Sequence, residues 1–214
     1  MMRNYILAGA LLYIVAAAGI GYSIDFGVDR DDGQSLIRVT TKNNLMTMEH
    51  WTSEITGKVS VDLLDVRATA AATFTIPVAS LSSHQDIWQM RDNLMHREYL
   101  ESDRYPTATF ALDLVDKLNP GVFTNFEPLE MTATGNFTLH GITKPVQVQA
   151  TLIYMEEGPR TQARGAGSLM NITARWTFKL SDFGIKLPRK GPIPFEDEQQ
   201  VYLHVVGSTV KTGR

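Results

Sequence analysis

Strict alternation of apolar and polar residues runs through most of the chain after residue 21 and constrains the fold more than any other feature. In the segment ARWTFKL, for example, Ala174, Trp176, Phe178 and Leu180 share one face, and polar or charged residues occupy the other. This period of two predicts a β-strand with one dry face and one wet face. Such strands belong to antiparallel sheets rather than to helix-covered parallel ones. At least eight segments of this kind lie between residues 22 and 210.

The dry faces of these segments carry both small and aromatic side chains. We expect the following residues to line the interior: Ala68, Ala70, Ala72, Phe74, Phe110, Leu112, Met131, Phe137, Trp176 and Phe178. The first four of them belong to VRATAAATFTIPV, which is predicted as a single strand. The dry faces could meet between two facing sheets, or one sheet could close into a barrel. An eight-stranded barrel would either fill itself with side chains or hold one small ligand. The alternation leaves both open, because alanines opposite aromatics could form a solid core or leave an apolar slot.

Two stretches depart from the alternation. Between Ser82 and Pro106 the apolar residues recur at helical spacing, as at Ile87 and Leu94. This spacing predicts one or two short helices followed by a loop, because a proline disfavours helix in the residue before it. The segment Leu187–Glu198 is rich in proline and charge and is predicted as a surface loop before the last strand. No linker divides the chain, so we expect one domain over residues 22–210.

The first 21 residues differ in character from the rest. Arg3 precedes an uncharged apolar run from Ile6 to Ile20, which has the length of a signal-peptide core and is short for a membrane-spanning helix. Small residues at Ala16–Gly19 offer a cleavage site. We therefore expect residues 1–21 to form a hydrophobic signal helix and the mature bacterial protein to be periplasmic or secreted. The alternative is an uncleaved helix that anchors the protein to the membrane.

Composition and short motifs argue against several classes of function. The net charge of −3 gives no reason to expect a nucleic-acid partner. The absence of cysteine excludes disulfides, thiolate metal sites and cysteine nucleophiles. No two of the five histidines have the i, i+4 spacing of a metalloprotease, and neither a phosphate-binding glycine motif nor a nucleophile-elbow motif is present. We therefore expect no metal and no cofactor, and we predict that the chain is not an enzyme.

The segment GNFTLHGITKPVQVQATL, residues 135–152, joins two alternating arms through HGITKP. Phe137 and Leu139 share a face on one arm, and Val146 and Val148 share one on the other, which is typical of a β-hairpin. The segment resembles the G-x-L-T-I-H-G-V-T-K-P-V signature of the YceI-like family, the lipocalin-like proteins that bind polyisoprenoids. YSID at residue 22, the block RDNLMHREYLESDRYPTATF and the motif LSDFGI resemble further parts of that family.

The resemblance implies an all-β fold, an antiparallel eight-stranded lipocalin-like barrel with one short helical segment and an elongated apolar cavity. It also implies a small-molecule lipid ligand and no catalysis. On the same resemblance we expect a homodimer to be possible. The pair Arg91–Asp92 has two interpretations: it binds the ligand head group at the mouth, or it holds the helical segment against the barrel. We expect His140 to be a turn residue bonded to backbone groups. The chain departs from the family pattern at Asn93–Met95, where a histidine is usual, and at Leu180, where an arginine is usual.

Three functions are compatible with these observations. The first, which we favour, is an exported protein that binds an isoprenoid lipid or a quinone-like amphiphile, with the tail among the interior residues and the head group near Arg91. The second is a filled barrel that acts as an interaction module, associated with the membrane if residues 1–21 are retained. The third is an enzyme that uses the same cavity for an apolar substrate.

Overall fold

The computed structural model describes residues 22–29, 34–42, 47–85, 89–164, 166–186 and 196–210, apart from the side chains of residues 90 and 91. The predicted signal helix at residues 1–21 and most of the predicted loop before the last strand lie outside these ranges. The strands are β1 (Ile24–Val28), β2 (Leu36–Lys42), β3 (Thr47–Thr52), β4 (Thr56–Val61), β5 (Ala71–Pro77), β6 (Thr107–Asn119), β7 (Pro128–Leu139), β8 (Ile142–Met155), β9 (Leu169–Lys179) and β10 (Glu198–Ser208). The helices are α1 (Val66–Thr69), α2 (Gln89–Leu94), which continues into a π-helical turn at Met95–Tyr99, and α3 (Pro159–Gln162). None of these described helices has the length and apolar character needed to cross a membrane.

The strands close into an antiparallel barrel. From β4 to β10 each strand pairs with the next one along the chain, and β1 pairs with both β4 and β10, which completes the circle. β1 and β2 lie along the same side of β10, β1 at Ser208 and β2 from Gln199 to His204, so they are two halves of one interrupted strand. β3 and β4 follow one another along β2 and β1 in the same way. The ten described strands therefore form the predicted eight-stranded barrel, with its first two strands each broken in two.

Polar side chains help to close the barrel at one place where, within the part of the chain that the structure describes, two neighbouring strands share only a single β-bridge. Beyond the end of β5, the described residues continue the pairing with β3 only through the bridge between Trp51 and Ser82. Asp92 of α2 reinforces this bridge, because its carboxylate accepts hydrogen bonds from Ser82 Oγ, Ser83 Oγ and Ser83 N, each at 2.9 Å. His50 Nε2 of β3 lies 3.3 Å from the other oxygen of that carboxylate. We call His50, Ser82, Ser83 and Asp92 the seam cluster.

The two ends of the barrel differ in what covers them. α2 and the turn between β7 and β8 lie at one end, called the α2 end, whereas α1 and the loop between β6 and β7 lie at the other, called the α1 end. The turn at the α2 end is His140–Gly141, with φ of 51° and 73°, and two-residue turns with positive φ match the twist of the paired strands. This connection is shorter than the predicted HGITKP, because Lys144 and Pro145 lie within β8.

The strand predicted through VRATAAATFTIPV is wrong in its first half. Asp65 accepts a hydrogen bond from Ala68 N at 3.3 Å and so caps α1, and β5 begins only at Ala71. Alanine has the highest helix propensity, so its alternation with polar residues specifies a strand only weakly. Ala68 is consequently exposed on α1 instead of facing the interior. The helical segment predicted within Ser82–Pro106 is confirmed by α2 and the π-helical turn.

Candidate functional site

An apolar slot lies inside the barrel, towards the α1 end. Its free volume is about 50 Å³, room for a few water molecules, since one water needs about 10–15 Å³. Six alanines line it: Ala70, Ala71, Ala72, Ala133, Ala150 and Ala174. Larger side chains complete the wall: Val59, Val61, Val66, Phe74, Phe110, Leu112, Met131, Val148, Leu152, Ile172, Trp176 and Leu203. The slot is thus narrow and lined by apolar residues throughout.

The slot reaches the surface beside α1. Ala70, Ala72, Leu112 and Met131 pack against the core but are only half-buried, and Ala71 is exposed. The lining residues of β8 and β9, by contrast, are buried. β6 runs on past the start of β5, and α1 contacts β6 in the gap that results. The opening therefore lies between α1 and the paired strands β6 and β7.

Seven of the ten interior residues predicted from the sequence line this slot: Ala70, Ala72, Phe74, Phe110, Leu112, Met131 and Trp176. The other three do not. Ala68 is exposed on α1, and Phe137 and Phe178 are buried beyond the slot, towards the α2 end. The ten predicted residues include none from β4, β8 or β10, although the same alternation puts the lining residues of these strands on dry faces.

Aromatic rings close the slot towards the α2 end. The ring centroid of Phe137 lies 5.2 Å from that of Phe178 and 5.4 Å from that of Phe183, and Phe178 and Phe183 pack edge to face at 5.5 Å. We call these three residues the aromatic plug. Trp176 adjoins the plug through Phe137 at 5.9 Å and contacts Phe110 at 5.8 Å. Each such pair contributes about 0.5–1.5 kcal/mol beyond area burial, so this end of the interior is firmly packed.

Two glycines allow the rings of Phe74 and Phe110 to lie against the barrel wall. A Cβ atom at Gly57 would come within 3.0 Å of the Phe74 ring, and one at Gly135 within 3.0 Å of the Phe110 ring. A glycine in a strand often marks such a close approach, because only the absence of a side chain leaves room for it. Both rings therefore occupy space next to the backbone, and the slot beside them stays free.

One polar atom lies within this apolar surrounding. Trp176 is 6% exposed and alternates along β9 with the exposed Arg175 and Thr177, so its side chain faces the interior. The indole Nε1 is buried and has no hydrogen-bond partner among the described residues. Leaving a buried donor without an acceptor costs roughly 1–3 kcal/mol.

The pair Arg91–Asp92 lies away from the slot. Asp92 is buried in the seam cluster, where it holds α2 against the barrel. Burial by itself raises the pKa of Asp92, but the hydrogen bonds from Ser83 and Ser82 and the neighbouring His50 outweigh it and leave the pKa below its usual value. The side chain of Arg91 is outside the described residues, and α2 itself lies at the opposite end of the barrel from the slot opening. In the described ranges, no group of three or more His, Asp and Glu residues could hold a metal ion.

His140 joins three elements at the α2 end. Its Nδ1–H donates to the carbonyl of Phe183 at 3.1 Å, and its Nε2 lies 2.6 Å from Glu101 Oε2. The ring also packs on Tyr105, with centroids 4.2 Å apart. The prediction that His140 is a turn residue bonded to backbone is confirmed, and His140 does not line the slot.

The barrel matches one family over nearly its whole length. The match is to the YceI-like domain and covers residues 28–210. The chain belongs to the YceI-like family. This confirms the resemblance carried by the hairpin segment GNFTLHGITKPVQVQATL, which spans the end of β7, the turn and most of β8.

Two proteins similar to this chain share about a quarter of its sequence. A UPF0312 protein of Shewanella sp. strain ANA-3 is 25% identical over 182 residues, 85% of this chain and 85% of that protein. Protein YceI of Escherichia coli O157:H7 is 23% identical over 186 residues, 86% of this chain and 88% of that protein.

Solved structures share the fold of this YceI-like barrel. Burkholderia cenocepacia BcnA superposes with a TM-score of 0.61 at 19% identity, over 84% of this chain and 98% of that one. A polyisoprenoid binding domain from Saccharophagus degradans, implicated in plant cell wall breakdown, superposes with a TM-score of 0.60 at 13% identity, over 86% of this chain and 98% of that one. At these identities the superpositions establish the fold.

Proposed function

We propose that this YceI-like chain is an exported lipid-binding protein that holds a polyisoprenoid or an isoprenoid-quinone-like amphiphile in the apolar slot, for transport, storage or stress protection. The slot carries the proposal, because its lining is apolar and rich in alanine inside an eight-stranded barrel. The fold shared with the polyisoprenoid binding domain of Saccharophagus degradans supports it. Since none of the lining residues is a nucleophile or a titratable group, the proposed activity is binding without catalysis.

The size of the slot sets a condition on this binding. About 50 Å³ is too small for a long hydrocarbon tail, so side chains at the opening must move for the tail to enter. Leu112 and Met131 are half-buried there, and a methionine changes shape readily because it is unbranched. Each buried CH₂ contributes about 0.8 kcal/mol, so a tail of roughly 10–20 carbons offsets a binding cost of about 4–15 kcal/mol.

The proposed route in lies beside α1. The half-buried lining residues cluster there, whereas the aromatic plug fills the α2 end. A head group next to Arg91 would lie on the far side of that plug. We therefore move the proposed mouth of the binding site from α2 to α1.

The proposal includes export, and its basis is the sequence of residues 1–21. Cleavage there would give a periplasmic or secreted protein, and retention would give a protein associated with the membrane. N-terminal sequencing of the exported form distinguishes the two. A homodimer also belongs to the proposal, on the family resemblance alone, and light scattering on the purified protein measures it.

Organic extraction of the purified protein, followed by mass spectrometry, tests lipid binding. We expect a copurified long-chain lipid from the native protein. Ala72→Phe places a ring in the slot and should abolish the copurified lipid, whereas Ala68→Phe, on the exposed face of α1, is the matched control and should retain it. A clean extract from the native protein, together with no stabilisation by added polyprenols, would contradict the proposal.

A filled barrel that acts as an interaction module is the second candidate. The small free volume and the aromatic plug favour it. On this alternative, the native protein gives a clean extract, and Ala72→Phe and Ala68→Phe differ only in stability.

A further inference from the structure

We infer that the ligand of the apolar slot carries a neutral hydrogen-bond acceptor, such as a quinone carbonyl or a hydroxyl oxygen, which accepts a hydrogen bond from Trp176 Nε1 inside the barrel. This inference rests on the proposed function, because it concerns the chemistry of the molecule that the slot binds. This hydrogen bond would lie deep in the site, where the lining otherwise offers only apolar contacts.

The indole of Trp176 is placed to serve a ligand. It lines the slot, is 6% exposed, and its Nε1 has no hydrogen-bond partner among the described residues. Buried polar groups of folded proteins nearly always have a partner, and an exception calls for an explanation. A ligand oxygen in the slot would supply the missing acceptor.

The neighbouring rings do not replace that acceptor. Phe110 and Phe137 are the aromatic neighbours of Trp176, with centroids 5.8 Å and 5.9 Å away. An N–H group that faces an aromatic ring makes only a weak hydrogen bond. An oxygen acceptor in the same space would therefore bind the indole more strongly than either ring does.

The surroundings of Trp176 require the acceptor to be neutral. No charged side chain is among the lining residues of the slot, and an unpaired charge is costly to bury in an apolar surrounding. A phosphate or diphosphate head group therefore could not reach the indole. A carbonyl or hydroxyl oxygen could, because its burial cost is offset by the hydrogen bond.

The position of Trp176 also orients the ligand. Trp176 adjoins the aromatic plug through Phe137, whereas the slot opens beside α1 at Ala70 and Ala71. The acceptor-bearing group is therefore inserted first, and the apolar tail extends towards the opening.

Nuclear magnetic resonance of the isotope-labelled full chain tests this inference. The chain has three tryptophans, Trp51, Trp88 and Trp176, so it gives three indole N–H signals, and Trp176→Phe identifies the one that belongs to Trp176. The two probes are a benzoquinone with a decyl chain and decylbenzene, which share a ring and a tail but differ in their acceptor oxygens. We expect the quinone to move the Trp176 signal downfield relative to its position in the decylbenzene complex.

Titration of both probes against variants provides the second measurement. Trp176→Phe keeps an aromatic ring and removes the N–H, so we expect it to weaken quinone binding by about fivefold to a hundredfold and to leave decylbenzene binding nearly unchanged. Trp51→Phe, at a residue 37% exposed, is the matched control and should keep the native affinity for both probes.

The outcomes separate this inference from the proposed function. If both probes bind, but Trp176→Phe keeps the native ratio of their affinities or the Trp176 signal lies at the same position in both complexes, the inference is overturned and lipid binding stands. If neither probe binds the native protein at the highest concentrations tested, the inference and the proposed function are both overturned. A quinone-specific signal shift, combined with a quinone-specific loss in Trp176→Phe, supports the inference.

Discussion

Gly135→Ala should destabilise the barrel and narrow the slot, because the new Cβ atom displaces the ring of Phe110. The Cβ atom of the new alanine would lie within 3.0 Å of Phe110 Cζ and Cε2, and 3.1 Å from the carbonyl oxygen of Ala111. Ordinary carbon–carbon contacts are about 3.5–4.0 Å, so the edge of the Phe110 ring must move by more than about 1 Å. Trp176 packs on the same ring, which leaves the slot as the space into which the ring can turn.

The magnitude follows from two opposing effects. Overpacking a close-packed interior costs about 1–3 kcal/mol. Replacing a strand glycine by alanine returns about 0.5–1 kcal/mol, because alanine loses less backbone freedom on folding. The expected net loss is therefore about 0–2.5 kcal/mol, centred near about 1 kcal/mol. Each kcal/mol lowers Tm by roughly 2–4 °C in a chain of this length.

Urea unfolding followed by tryptophan fluorescence measures the effect, with Gly121→Ala as the matched control. No atom lies within 4 Å of a Cβ built at Gly121, so this control should change stability by no more than about 0.5 kcal/mol. A double-mutant cycle with Phe110→Leu tests the cause, because a smaller side chain at position 110 should remove most of the cost of Gly135→Ala. Equal stability of the Gly135→Ala and Gly121→Ala variants, or a cycle with no coupling energy, would refute this reasoning.

Three further changes test other parts of the structure. Asp92→Asn should lower the free energy of unfolding by about 1.5–3 kcal/mol at neutral pH, because it weakens hydrogen bonds to a buried carboxylate. Thermal or urea unfolding measures this loss, and an unchanged free energy would show that the seam cluster does not stabilise the barrel. Because the pKa of Asp92 is lowered in the folded state, the stability that its carboxylate contributes is present above pH 3.8 and is lost as the pH falls below that value. The native protein should therefore lose more stability in acid than the Asn variant. Parallel curves of stability against pH for the two proteins would contradict this. Gly141→Ala should destabilise by about 1–3 kcal/mol, since its φ is +73° and its Cβ would meet the Tyr105 ring at 2.8 Å. Gly184→Ala is the matched control, because Gly184 also has a positive φ but its Cβ would lie 3.3 Å from the nearest atom, a looser contact. An equal loss of stability in both variants would show that the Tyr105 contact contributes nothing.

The sequence predicts the barrel well because period-two alternation directly reports which side chains face the interior. It fails at Ala68, because alanine favours a helix and Asp65 caps the first turn, so the alternation there does not specify a strand. It also misses the seam cluster, because His50 and Asp92 are 42 positions apart and only the closed barrel brings them together. The unpaired Nε1 of Trp176 and the volume of the slot depend on packing between strands, which a pattern along one strand does not contain.

The interrupted first two strands have a consequence for how the barrel comes apart. The hairpin of β2 and β3 is joined to the rest by its ladder with β10 on one side. On the other side it is joined by one bridge, by the seam cluster, and by the ring of His84, which stacks on Trp51 at 3.7 Å and whose Nε2 lies 3.0 Å from the Trp51 carbonyl oxygen. Sub-global opening starts where few contacts hold a unit in place, so this hairpin should separate while β6 to β9 remain paired. Its amide protons should accordingly exchange with solvent ahead of those in the long central strands. Once detached, it would expose free strand edges, which are templates for pairing with another chain, and a swapped dimer is the natural product of that exposure.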